Sequence, residues 1–174
     1  MRSEPLLEYC RVSEASAAIT LQGTVVARWE SYPLSVRYKL DCAHDWRIQH
    51  AFVEIVGDSG ASAIELTVDN QQRWWREGRE LPEFRGLTDI DLQVSPCTNT
   101  LPNRRLNLAV GERANVTAVW LRFPQLELER LDQQYTRVGP HSYRYESGQG
   151  AFRADLEVDG HGLVVRYGDL WERV

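Results

Sequence analysis

Apolar and polar residues alternate with period two along most of this chain, and that pattern leaves little room for anything but a β protein. In 36–42, Val36, Tyr38, Leu40 and Cys42 share one face while Arg37, Lys39 and Asp41 take the other. Phe152, Ala154, Leu156 and Val158 oppose Arg153, Asp155 and Glu157 in the same way, the mark of antiparallel strands with one buried and one wet face. The segment 115–123 is apolar on both faces and reads as a central strand. Turn sequences recur between the runs, at Gly57-Asp58-Ser59-Gly60, Ser147-Gly148-Gln149-Gly150 and Asp159-Gly160-His161-Gly162. The spacing predicts about ten to twelve short strands in a sandwich, barrel or strongly curved sheet. One short helix is expected over 102–110, with Pro102 in its first turn and Gly111 as its stop.

The alternation is also written twice. Ala27, Trp29 and Pro33, followed by Leu40-Asp41, recur 91 residues later as Ala118, Trp120 and Pro124, followed by Leu131-Asp132; His50 recurs as His141. After a one-residue gap, Gly60-Ala61, Leu66, Val68-Asp69, Arg76 and Gly78 match Gly150-Ala151, Leu156, Val158-Asp159, Arg166 and Gly168. These matches fall at Trp, Pro, Gly, Asp and core apolar sites, where a β fold is least tolerant of change. The expectation is a single all-β domain with minor α content, built from two β-meanders at 24–82 and 115–174 and a connector at 83–114. Each meander has an apolar face that it cannot bury alone, so the two should pack together.

The connector holds the stretch with the densest polar chemistry, Gly86 to Leu106. Ile90, Leu92 and Val94 share one face of a strand over 87–94, and Asp89, Asp91 and Gln93 share the other. Carboxylates two apart on a strand sit about 7 Å from each other, a separation that inverting glycosidases use. The same D-x-D arrangement also serves as a solvated face or as partners for Arg104 and Arg105, and internal pairing is the favoured reading. Thr98, Asn99 and Thr100, between Pro96 and Pro102, either fasten an irregular turn or meet a bound polar group.

Other candidates give way to simpler readings. Gly57-Asp58-Ser59-Gly60 has the look of a serine-protease nucleophile sequence, but His44 lies too close upstream for a two-barrel scaffold, and a hairpin turn explains it. His44, Asp45 and His50 match no strong metal-ligand spacing, and no metal or cofactor is implied. Cys10, Cys42 and Cys97 are odd in number and far apart, which fits reduced thiols in the cytoplasm better than a disulfide framework. The first ten residues lack a signal-peptide apolar run, and no stretch reaches membrane-span length. A net charge of −5 speaks against a nucleic-acid partner. Six Trp and seven Tyr spread over the β segments also suit a cavity for an amphiphile, but filling a β core is the favoured reading.

Asp89-Ile90-Asp91-Leu92, then Pro96-Cys97-Thr98-Asn99-Thr100-Leu101-Pro102, then Arg104-Arg105-Leu106 resemble the signature of a family of small bacterial proteins named "putative glycolipid-binding". Supporting similarity extends through Tyr38–Cys42, Asp45-Trp46-Arg47, Gln134-Tyr135, Tyr143–Glu146 and Leu170–Val174. Asn103 departs from the pattern, standing where the family usually has an apolar residue, and offers an extra polar contact. The resemblance implies a mostly antiparallel, strongly curved, barrel-like β structure with a cavity suited to an amphiphile, and no established catalytic residues.

Residues and resemblance together give the leading expectation, a cytoplasmic, non-catalytic binding protein for a glycolipid or other amphiphilic small molecule. Asp89, Asp91, Thr98, Asn99, Arg104 and Arg105 would meet the polar head, and the oligomeric state stays open. The alternatives are a sugar- or small-molecule-directed enzyme using Asp89 or Asp91 as acid/base, and a protein-interaction module using a sheet edge.

Overall fold

The structure, a computed structural model, describes residues 6–16, 18–29, 32–58 and 60–174. Met1–Pro5, Glu30 and Ser31 within the first repeat motif, and Ser59 of the 57–60 turn lie outside the described residues. With 61% strand against 10% helix, the chain is all-β in two seven-stranded sheets, one of them curved into a half-barrel. It divides into two compact units, Met1–Thr88 with Arg122–Glu127, and Asp89–Leu121 with Leu128–Val174.

The first unit is a meander in strict sequence order: β1 (Leu6–Glu14), β2 (Ile19–Trp29), β3 (Tyr32–Cys42), β4 (Ile48–Gly57), β5 (Gly60–Val68), β6 (Trp74–Arg76) and β7 (Arg79–Glu80). Every pairing is antiparallel. Alternation sets which side chains enter the core: Leu34, Val36, Tyr38, Leu40 and Cys42 of β3 are buried, and Val53, Ile55, Ile64 and Leu66 join them from β4 and β5. Trp74 closes this core, fully buried, with its indole N–H donating to the Leu87 carbonyl at 2.9 Å and its ring edge-on to Phe84. His44 and His50 do not share a site. His50 Nε2 lies 2.9 Å from Glu65 and His44 Nε2 lies 3.2 Å from the Ser16 carbonyl.

Gly23 in β2 is required by a close approach. A Cβ there would press on the Tyr38 hydroxyl and lie 2.6 Å from the Tyr9 carbonyl oxygen in β1. Tyr38 in turn donates its hydroxyl to Glu8 at 2.5 Å, so the glycine lets an aromatic side chain cross beneath the β1–β2 pair. Gly23→Ala should therefore cost about 2 kcal/mol, as overpacking of a tight site does. Urea unfolding checks this; a wild-type midpoint would show that β1 is not held against this sheet.

The second unit contains β8 (Asp89–Leu92), β9 (Arg113–Arg122), β10 (Glu127–Gly139), β11 (Ser142–Ser147), β12 (Phe152–Val158), β13 (Val164–Tyr167) and β14 (Trp171–Glu172). Their order is β14-β13-β12-β11-β10-β9-β8, so β9–β14 repeat the meander of β2–β7. The turns repeat as well. Asp69 Oδ1 accepts from the Gln71 and Arg73 amides, and Asp159 Oδ1 accepts from the His161 and Leu163 amides. The unit differs in its first strand, because β8 runs parallel to β9 whereas β1 runs antiparallel to β2.

Between β8 and β9 lie a 3₁₀ turn over Pro96–Asn99 and the helix α1 (Thr100–Leu106). The helix expected over 102–110 thus starts earlier and ends sooner. Ser95 caps the helical run, its hydroxyl accepting from the Cys97 amide at 3.1 Å, with Pro96 in the first position after the cap. Asn107 ends it at φ 44°, the left-handed conformation that stops helices. The expected Thr98-Asn99-Thr100 turn is therefore helical backbone, fully buried.

Candidate functional site

The site expected from sequence is assembled where the helical run 96–106 meets β8, wholly within the second unit. Two side chains from the helical run reach the strand. Thr98 Oγ1 accepts from the Leu92 amide at 3.3 Å and donates to the Ser95 carbonyl at 3.4 Å. Arg105 forms a fork with Asp89, Nε to Oδ1 at 3.3 Å and Nη2 to Oδ2 at 2.5 Å.

Asp89 takes the internal pairing favoured from the sequence, not the solvated face weighed beside it. Asp89 is 1% exposed and Asp91 only partly exposed, while Ile90 and Leu92 are buried on the other side. Period-two alternation says only that the two carboxylates share a face; Arg105 and Gln133, from elsewhere in the chain, close over it. The two acids then part company: Asp89 has the Arg105 guanidinium, whereas no cation pairs with Asp91 among the described residues.

Asp91 instead accepts from Gln133 Nε2 at 2.6 Å. Burial pushes its carboxyl up to about 6, a rise that the Gln133 hydrogen bond only partly offsets. The same Gln133 amide lies 3.0 Å from the Tyr145 hydroxyl. The Tyr135 hydroxyl donates its one proton to Asn99 Oδ1 at 2.7 Å and lies 3.4 Å from Gln133 Oε1, and Asn99 Nδ2 donates to the Pro96 carbonyl at 3.2 Å. A continuous polar chain thus runs Asp91–Gln133–Tyr135–Asn99, with Tyr145 branching from it.

This chain lies against an aromatic cluster. Tyr145 packs edge-on to Tyr135, Phe152 and Tyr167, with ring centroids 5.2, 6.0 and 6.0 Å away. Burial raises the pKa of Tyr135, Tyr145 and Tyr167, so all three keep their protons and act as neutral hydrogen-bonding groups. Chemically the arrangement offers hydroxyl, carboxamide and carboxyl groups at the edge of an aromatic interior, which suits a hydroxylated group attached to an apolar body.

Of the six residues singled out, Asp89, Asp91, Thr98, Asn99 and Arg105 come together here. Arg104 points to the exposed side of α1, its aliphatic stem packed at Gly162, where a Cβ would fall 2.6 Å from Arg104 Cδ. Sequence reasoning missed Gln133, Tyr135, Tyr145 and Tyr167. The available signal was a glutamine on the inward side of the alternating run 133–137, a polar group where an apolar one is expected. A groove of about 440 Å³ on this sheet is lined by Asn115, Thr117, Asp132, Gln134, Glu146 and Arg153, with Gln133 of the polar chain also in its wall. Those six side chains pair with one another, Thr117 with Asp132, Gln134 with Asn115 and Arg153 with Glu146.

Fold and site together define a small, β-rich, internally duplicated protein of the binding type. The sequence profile of the family described as "Putative glycolipid-binding" matches residues 2–173, and the chain belongs to that family. It is similar to a DUF1089 family protein from Pseudomonas aeruginosa known from a 1.80 Å crystal structure, with 33% identity, a TM-score of 0.85, and coverage of 96% of this chain and 92% of that one. None of the curated proteins matches. No helix among the described residues is long and apolar enough to cross a membrane.

Proposed function

We propose that this chain is a non-catalytic binding protein for an amphiphilic small molecule with a hydroxylated polar head, a glycolipid being the leading class. The observation that carries the reading is Asp91, a carboxyl held without a cation against Gln133 and three tyrosines. A protein that holds such a group largely away from water sacrifices stability for it, and a ligand hydroxyl donating to the carboxylate recovers part of that loss. In this reading Asp91 meets the head directly and Arg104 stands at the exposed rim. Asp89, Thr98, Asn99 and Arg105 fix the frame through the contacts described above.

The test is native mass spectrometry of the purified protein after incubation with monoglucosyl diacylglycerol, diacylglycerol and palmitic acid. A mass shift corresponding to one lipid per chain is expected with the glycosylated lipid. An unliganded spectrum with every lipid, and nothing recovered by solvent extraction, overturns the proposal.

A second reading, an enzyme with a carboxyl acid/base, draws on the same Asp91, because a value of about 6 suits proton transfer near neutral pH. It requires Asp91 to act without Asp89, which is committed to Arg105. Under that reading Asp91→Asn removes turnover of a sugar substrate; under the binding reading there is no turnover to remove.

A further inference from the structure

Asn103 is 5% exposed, and neither its Oδ1 nor its Nδ2 has a hydrogen-bond partner. It stands four residues after Asn99 in the same helical run, so the two carboxamides lie on one side of that run, a turn apart. Asn99 is the near end of the polar chain leading to Asp91, and both of its amide atoms are used. One turn on, an equivalent amide has nothing. A buried polar group without a partner costs about 1–3 kcal/mol, and an apolar side chain of similar volume at this position would avoid that cost.

We infer that Asn103 is a head-group contact that selects a neutral, hydroxylated head over a phosphorylated one. The inference rests on the amphiphile-binding reading and names the chemistry of its head. A carboxamide offers a donor and an acceptor side by side. Two neighbouring hydroxyls of a sugar or glycerol head satisfy both at once, one accepting from Nδ2 and the other donating to Oδ1. A phosphate dianion only accepts, and it leaves Oδ1 unpaired. Of the charges at the site, Arg105 is spent on Asp89, Asp91 adds negative charge once ionised, which repels an anionic head, and Arg104 is directed to the exposed side of α1.

The experiment compares monoglucosyl diacylglycerol with phosphatidic acid of the same acyl chains, by competition in native mass spectrometry, for wild type, Asn103→Leu and Asn103→Ala. The alanine variant removes the amide without adding bulk, and so separates a lost hydrogen bond from a blocked site. Wild type should prefer the glucosyl lipid by about tenfold or more, since one well-made polar pair carries roughly that factor. Both variants should lose the preference while still taking up lipid. A wild type that binds lipid without discriminating, or variants that keep the wild-type preference, overturns the inference and leaves the binding reading standing. A wild type that takes up neither lipid overturns both.

Discussion

Arg105→Leu should be the most destabilising single change in the site, lowering stability by about 3–4 kcal/mol at pH 7. The argument rests on burial. Asp89 is 1% exposed and the Arg105 side chain 19%, so removing the guanidinium takes the counter-charge from a carboxylate that water cannot reach. Breaking a buried pair from one side costs roughly 3–5 kcal/mol, because most of the loss is the desolvation of the charge left behind. The Arg37–Glu54 pair in the first unit is the control: it has the same chemistry, but Arg37 is 67% exposed, and Arg37→Leu should change stability by less than about 1 kcal/mol. One further result identifies the cause: the double variant Asp89→Asn/Arg105→Leu should be more stable than Arg105→Leu alone. If urea unfolding gives the same loss for Arg105→Leu with and without Asp89→Asn, the arginine acts through packing of its stem and not through the ion pair.

That ion pair also shows how far sequence reading carries. The alternation over 36–42 predicts the buried set of β3 because a strand's two faces are fixed by its own backbone, with no reference to the rest of the chain. The duplication was legible for a similar reason, since Asp69 and Asp159 cap identical turns through hydrogen bonds made within five residues. Very short strands such as β7 and β14 were not legible, because two residues carry no period. In the site, the residue types were visible and their surroundings were not. Asp89 meets Arg105 across 16 residues, Asn99 meets Tyr135 across 36, and Asp91 meets Gln133 across 42. The Asp89–Arg105 pair was legible because both partners sit in one stretch, whereas nothing local announces that Gln133 and Tyr135 reach Asp91 and Asn99. The helix boundary failed more simply: Pro96 and Pro102 both obey the preference for proline in a first turn, and only the Ser95 cap decides between them.

Asp91→Asn should stabilise the protein at neutral pH, and the pH dependence of that gain reports what the site is for. The carboxyl sits at about 6 in the folded chain against an ordinary 3.8, raised by burial. Between roughly pH 4 and 6 the folded state holds a proton that the unfolded chain has released, so stability falls as pH rises through that window. Above it the full cost stands, about 3 kcal/mol for a shift of about two units. Asparagine still accepts from Gln133 and has no charge to desolvate. Variant and wild type should therefore be nearly equal near pH 4, diverge up to about pH 6, and stay apart by about 2–3 kcal/mol at pH 7.5, which corresponds to roughly 5–10 °C in Tm for a chain of this size. Thermal melts at pH 4, 6 and 7.5 decide it, and a difference that does not change with pH would mean that water reaches Asp91 in the free protein. A chain that retains a carboxyl this costly, when one nitrogen in place of one oxygen would remove the cost, is constrained by something other than stability. The stabilised variant should accordingly bind the glucosyl lipid more weakly than wild type. The amide Nδ2 is a donor where the bound hydroxyl also donates, so the site would gain in melting temperature what it loses in recognition.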